Sequence, residues 1–449
     1  MTVALVILAA GKGTRMQSDI PKVLHEVAGA SLLAHTLKAG QSLQPSRSII
    51  VAGHGAQEIE VASKAYDKNC ELILQTEQLG TGHAVEQTRN TLAGFNGNLI
   101  ILYGDTPLIS AKTLKRLNDS LVTSAVSVLG FQTTDPGKYG RLIIKGDKLD
   151  RIVEFKDASD EERSITLCNS GVMGISAPLL FELLLQLDNK NAVGEYYLTD
   201  IVALATAQNA VCTVVECDES ETLGVNSRVE LAQAEHTFQT IRRAEALKVG
   251  ITMPAPETVH FSFDTFIGRD TVIEQNVVFG PGVTVENGAR IRAFSHLEGA
   301  HVSRGCIIGP YARLRPGAEL AENVKIGNFV EVKASTLHED VKVNHLSYIG
   351  DANVGARTNI GAGTVTCNYD GAMKHQTTLG QDVFIGSNTM LVAPVKIGDE
   401  ALTASGSVIV NDVPSGALAL GRSKQVNKPG LAFKLMKKLK AIKASKKGN

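Results

Sequence analysis

The chain has 449 residues, 43% apolar and 20% charged, which is length for two or three domains with sizeable cores and excludes a small disulfide-stapled or disordered protein. Six cysteines without a C-x-x-C pair exclude a zinc knuckle. No apolar run nears the roughly 18 residues of a membrane span, so the expected place is a reducing cytoplasm with no stable membrane association. None of the 46 acidic residues but ten of the 45 Lys and Arg follow Asp412, a basic tail read as solvated. With no tryptophan and 5% aromatics, binding nucleic acid by base stacking has little material, and no nucleic-acid partner is expected.

Val3–Ala9 is apolar, too short for a secretory leader and followed by glycines, so it reads as a buried first strand. Ser48–Ala52, Asn98–Tyr103, Ala125–Leu129 and Val211–Glu216 are further strands separated by longer mixed segments. That alternation predicts an α/β, Rossmann-like and mostly parallel sheet over residues 1–226. Ligands of such sheets bind beyond the carboxyl ends of strands, so the residues after Ala9 and Tyr103 are the first place to look for chemistry. Over 227–250, Leu231, Ala234, Phe238, Ile241 and Leu247 fall on one helical face, with Gly250 as the stop. The segment is read as a helical arm between domains, the alternative being a helix packed within the first.

Residues 251–449 follow a six-residue period: Ile267, Ile273, Phe279, Val285, Ile291 and Leu297, then Val302 to Val332, then Leu337, Val343 and Ile349, then Leu379 to Ile397. A short strand and a tight turn need about six residues per face, so the period predicts a parallel β-helix whose aliphatic residues point into a three-sided prism. Five-residue steps mark slips of the coil. The interruption Thr366–Thr378 is expected to project as a loop on a binding face.

The turn Ala9-Ala10-Gly11-Lys12-Gly13-Thr14-Arg15-Met16 has two glycines whose backbone N–H groups can close on a phosphate, with Lys12, Arg15 and Lys22 to neutralise it. It is not a dinucleotide fingerprint, because Met16 stands where the third glycine belongs. Leu8-Ala9-Ala10-Gly11-x-Gly13-Thr14-Arg15-Met16 with Pro21-Lys22 resembles the sugar-1-phosphate nucleotidyltransferases. Further marks occur in order: Gln75-x-x-Gln78-x-Gly80-Thr81-Gly82-His83, Tyr103-Gly104-Asp105, Tyr139-Gly140-Arg141, Glu154, Asn169-x-Gly171 and Gly224-Val225-Asn226. Together with the hexapeptide half, the chain resembles end to end the bifunctional UDP-N-acetylglucosamine pyrophosphorylases and glucosamine-1-phosphate N-acetyltransferases. Gly194-Glu195-Tyr196-Tyr197 shares the resemblance without a derivable role.

That resemblance implies a left-handed coil, Mg2+, and UTP and acetyl-CoA as co-substrates. Arg15 and Lys22 would be catalytic, steadying bridging phosphates. Leu8, Ala9, Ala10, Gly11, Gln75, Gly80 and Thr81 would face the nucleotide, with Tyr103 and Gly104 beside them. Gly140, Glu154 and Asn169 would face the sugar, and Asp105 and Asn226 would hold the metal. Read alone, each has a bland alternative: Asp105 a helix cap, Glu154 a surface carboxylate and Asn226 a turn residue. In the second half the resemblance makes His345 the general base. It assigns Arg315, Lys333, Tyr348 and Asn359 to the sugar phosphate, and Ala362, Asn368, Tyr369, Ser387, Ser405 and Arg422 to acetyl-CoA, Ser405 by side chain or backbone. It also implies a homotrimer with shared sites. The product would feed peptidoglycan and, in some bacteria, lipid A synthesis. The competing reading is a monofunctional nucleotidyltransferase whose β-helix only oligomerises or regulates.

Overall fold

Strand β1, Val3–Ala9, is buried at every position, and such an all-apolar run suits a central strand covered on both faces. The computed structural model, which describes residues 2–446, sets it in a nine-stranded sheet. The strands are β1, β2 (Arg47–Ala52), β3 (Glu71–Leu74), β4 (Asn98–Tyr103), β5 (Val126–Gln132), β6 (Arg141–Lys145), β7 (Lys148–Val153), β8 (Leu167–Ser176) and β9 (Cys212–Cys217). Their order is β9-β5-β8-β4-β1-β2-β3, with the β6–β7 hairpin against β8. The pairs β1–β2, β1–β4, β2–β3 and β5–β9 are parallel as expected. Strand β8 differs, running antiparallel between β4 and β5. The chain between β5 and β8 makes a hairpin instead of a crossover, so Leu167 enters opposite Gln132, where β5 ends.

Four helices matter below: α1 (Leu32–Gln41), α2 (Thr81–Glu86), α3 (Arg228–Lys248) and α4 (Leu431–Ser445). The chain forms two compact units, one of Met1–Val249, Pro256–Thr265 and Phe279–Pro281, the other of Gly250–Ala255, Phe266–Val278 and Gly282–Asn449. Helix α3 lies in the first. Its Ala234 and Phe238 are buried with Met16, Val27, Leu32 and Val225, and Ser227 caps its start by accepting from the Glu230 N–H. Met16, which breaks the dinucleotide fingerprint, is therefore a core residue.

The second unit is a three-sided parallel β-helix. One wall stacks Ile267, Val285, Val302, Leu320, Leu337, Val354, Leu379 and Ile397 in register. The next stacks Ile273, Ile291, Ile308, Ile326, Val343, Ile360 and Ile385. Each burial removes an aliphatic side chain from water, worth about 1.5–3 kcal/mol, and each coil depends chiefly on its two neighbours. Glycine is obligatory where coils touch: a Cβ on Gly327 would lie 1.9 Å from the Asn344 carbonyl oxygen. The inserted loop is narrower than the interval read from sequence, because Val365–Cys367 and Thr377–Leu379 still pair in the ladders.

The basic tail is not featureless. Leu431–Ser445 forms helix α4, with no buried residue. Among the described residues no helix is long and apolar enough to cross a membrane, and the six cysteines are unpaired.

Candidate active sites

The loop after β1 and the turn after β4 meet at the carboxyl edge of the sheet, as the strand pattern requires. The Gly104 N–H donates to the Leu8 carbonyl at 2.9 Å, which brings Asp105 beside the glycine turn. Gly13 has φ 60° and a Cβ there would stand 2.7 Å from the Lys22 Cβ, so only glycine lets Lys22 lie across the turn. The Lys22 ammonium donates to the Asp105 carboxylate and, at 3.0 Å, to Asn226 Oδ1. Residues 83 and 204 positions away in sequence thus converge on one cation. Asp105 caps no helix; its carbonyl accepts from the Val225 N–H at 2.9 Å, which carries Asn226 to the site.

Two cavities share Tyr103 and Asp105 as a wall. One is lined by Leu8, Ala9, Ala10, Gly11, Lys22, Gln75, Gly80 and Thr81, all expected at the nucleotide. Gln78, Val23, Ala84 and Glu195 complete it. The other is lined by Arg15, Tyr139, Ser170, Gly224, Asn226 and Glu230, among others. Gln75 Nε2 donates to the Gly80 carbonyl at 3.1 Å, and Gln78 Nε2 to the Ala10 carbonyl at 2.8 Å, tying the two loops together. The role of the 194–197 motif is now visible. The Tyr196 carbonyl accepts from the Gly82 N–H and its N–H donates to Leu79, both at 2.8 Å, so the motif braces the turn that opens α2.

Gly140 and Glu154 lie together: a Cβ on Gly140 would be 3.5 Å from the Glu154 carboxylate. The Asn169 N–H donates to the Gly140 carbonyl at 2.8 Å, so the three expected sugar positions form one cluster. Glu154 accepts from the Thr199 hydroxyl at 3.1 Å, and burial holds its carboxyl above the usual range against that bond. Asp200 is pushed up to about 6, first by burial and then by Glu154. Burial likewise raises the Tyr103 phenol. The surface reading of Glu154 does not hold.

In the β-helix, His345 is exposed and its Nδ1 is 2.8 Å from Asn328 Oδ1, the residue paired with it on the preceding coil. An amide oxygen is an acceptor, so in the neutral ring this contact puts the proton on Nδ1 and leaves Nε2 as the free lone pair. Arg315 bonds Glu331 at 2.8 Å, which raises the guanidinium further. Glu331 pairs with Tyr348 and Lys333 with Gly350, so Arg315, Lys333 and Tyr348 lie on neighbouring coils. Asn368 reaches the Tyr348 hydroxyl at 3.4 Å and the Asp351 carboxylate. Lys374, in the loop, sits against Lys333, whose side chain lowers its ammonium below the usual lysine range by bonding and by repulsion. An anion bound between the two lysines would offset that repulsion. Asp370 is lowered by the Met373 N–H and by His375, bonds that shape the loop.

Further along the coil, Arg422 Nη1 donates to the Ser405 carbonyl at 2.8 Å, joining two residues of the expected acetyl-CoA set through backbone. The Ala362 carbonyl accepts from Asn388 and the Ser387 carbonyl from Gly406. Asn359 pairs with Lys342 and Phe384, and the Tyr369 hydroxyl donates to Gly371 at 2.6 Å. Asn328 and Lys374 escaped the sequence reading; the signal for Asn328 was its place 17 positions before His345, one coil earlier.

A MobA-like NTP transferase domain matches residues 5–167, and the bacterial transferase hexapeptide matches 264–299, 299–334 and 376–411. Proteins named bifunctional protein GlmU are 60% identical: from Jannaschia sp. (strain CCS1) over 99% of this chain and 98% of theirs, and from Roseobacter denitrificans and Ruegeria sp. (strain TM1040) over 99% of both. The chain belongs to the bifunctional GlmU family. It is an enzyme with uridylyltransferase and acetyltransferase activity on one polypeptide, and its coil is the left-handed hexapeptide β-helix.

Proposed function

We propose that residues 251–449 acetylate glucosamine-1-phosphate with acetyl-CoA, and that residues 1–226 then transfer uridylyl from UTP to N-acetylglucosamine-1-phosphate, releasing pyrophosphate. The observation that carries the reading is Lys22 held between Asp105 and Asn226 beside the glycine turn. An attacking phosphate and a polyphosphate repel one another, so charge neutralisation and alignment dominate this chemistry. Asp105 and Asn226 already turn two oxygens onto one cation, which fits Mg2+ sharing its remaining places with phosphates and water. No group of three or more His, Cys, Asp or Glu converges among the described residues, so the chain supplies part of a metal shell only. Mg2+ bound there would supply neutralisation of phosphate charge. Lys22 and Arg15 serve phosphate oxygens, while Glu154, Asn169 and Gly140 orient the sugar.

At the second site Arg315, Lys333 and Lys374 grip the sugar phosphate. His345 Nε2 takes the proton from the amine as its nitrogen attacks the thioester carbon, and the C–S bond breaks to release coenzyme A. Ser405 and Arg422, joined by the bond from Arg422 to the Ser405 carbonyl, serve the cofactor in a homotrimer with shared sites. The Asn328–His345 bond and the paired lysines favour this over a merely regulatory β-helix, which needs neither. Incubating the chain with glucosamine-1-phosphate, acetyl-CoA, UTP and Mg2+, each omitted in turn, tests it: acetyl transfer should be lost without the sugar phosphate or acetyl-CoA but persist without UTP, and pyrophosphate release should be lost on omitting any one of the four. Pyrophosphate release unaffected by leaving out the sugar phosphate would overturn it.

A further inference from the structure

Leu431, Leu435, Leu439 and Ile442 recur along α4 at steps of four, four and three and form one stripe, with Met436 at its edge. Lys434, Lys437, Lys438 and Lys440 occupy much of the rest, with Lys443 at the margin. None of the stripe is buried: Leu435 is 53% and Leu439 57% exposed. Residues 422–430 are exposed and without regular structure, so the helix is tethered to the last coil by a strand-free segment. No acidic residue follows Asp412, whereas the chain up to and including it carries an excess of eleven negative charges.

These facts discriminate among occupants. If copies of α4 paired in parallel through the stripe, Lys438 and Lys443 would flank the seam with like charge on every copy, which disfavours self-association. Nucleic acid would use the lysines but leave the leucines in water. A surface with anions over an apolar layer satisfies both faces at once. We propose that α4 is an interfacial helix that docks the chain reversibly on an anionic lipid surface. The lysines engage phosphate headgroups while the stripe enters the acyl boundary. The net negative body is repelled, so α4 alone carries the contact.

The test is sedimentation of the full chain with vesicles of phosphatidylcholine alone and of phosphatidylcholine with phosphatidylglycerol at about 3:1. Binding to the anionic vesicles at low salt, at least about tenfold stronger than to neutral ones and weakened by salt, is expected. Leu435→Ser with Leu439→Ser, and separately Lys437→Glu with Lys438→Glu, should each lose about tenfold or more in vesicle binding while both enzymatic activities and the elution volume on gel filtration stay unchanged. Equal binding to neutral vesicles overturns the proposal, as does unchanged binding by the leucine variant. A shift of its oligomeric state would assign the stripe to a second copy, and tighter binding to a single-stranded oligonucleotide than to anionic vesicles would assign the lysines to nucleic acid; either overturns it.

Discussion

The two sites are built by opposite routes. In the first, a sheet gathers residues from 22 to 226 onto one ammonium, and the strand ends form a cleft within one unit. In the second, Asn328 and His345, or Arg315 and Glu331, are 17 and 16 positions apart and lie one above the other on adjacent coils. A converging sheet makes a concave site by itself. A stack of coils offers a flat edge, open on one side, so completing a pocket there calls for a loop or another chain. The exposed loop carrying Lys374 answers the first need, and the proposed trimer the second.

The sharpest break is a crossed pair of substitutions. His345→Ala should cut acetyl transfer by about 10²–10⁴-fold and leave uridylyl transfer within about twofold. Asp105→Ala should do the reverse, costing uridylyl transfer about 10²-fold or more, because Lys22 and the proposed metal share its carboxylate. Separate assays of each half-reaction read both. One substitution that abolished both activities in a folded chain would refute independent sites.

How far each region could be read in advance follows from the same contrast. The prism was legible because each buried position depends on one aliphatic residue and its neighbours, so Ile273, Ile291 and Ile308 reveal the wall directly. Asn328 was not, since nothing in its own hexapeptide distinguishes it until coils are stacked on His345. Lys374 became visible only when the loop folded back on Lys333. In the sheet, the phosphate turn was legible from Gly11, Gly13 and Lys22, but the bracing of residues 79–82 by Tyr196 needed the fold. Helix α4 was masked by its charge, because the lysines dominate the composition of the tail and the leucines between them fall on one face only once the segment is helical. The antiparallel β8 was hidden because strand direction depends on the connection and not on the strand.

Two smaller effects sharpen the picture of the open edge. Asn328→Ala should lower kcat for acetyl transfer about tenfold with little change in KM, because the imidazole loses the acceptor that orients it. Asn328→Asp, which keeps an acceptor oxygen, should recover most of the rate, and a kcat equal to that of the alanine variant would make the contact incidental. Lys374→Ala should raise KM for glucosamine-1-phosphate several-fold at nearly constant kcat. Steady-state kinetics with that substrate varied separates the two.

The smallest effect lies in the sheet cleft and concerns stability. Asp200 rises from 3.8 to about 6 through burial and then Glu154, whereas the loop residue Asp370 is lowered by the bonds it accepts. A raised carboxyl contributes stability that is whole below its unfolded value and lost as pH climbs through the folded one. At pH 7–8 Asp200 is therefore an ionised cost that the concave site carries, discounted by its partial exposure to about 1 kcal/mol. Asp200→Asn should raise Tm by a few degrees at pH 8, with the gain shrinking through pH 6 and vanishing near pH 4. Thermal melts across that range decide it: a gain that is flat with pH would place its origin in packing, and would remove the electrostatic difference between a cleft that buries its acids and an edge that leaves them in water.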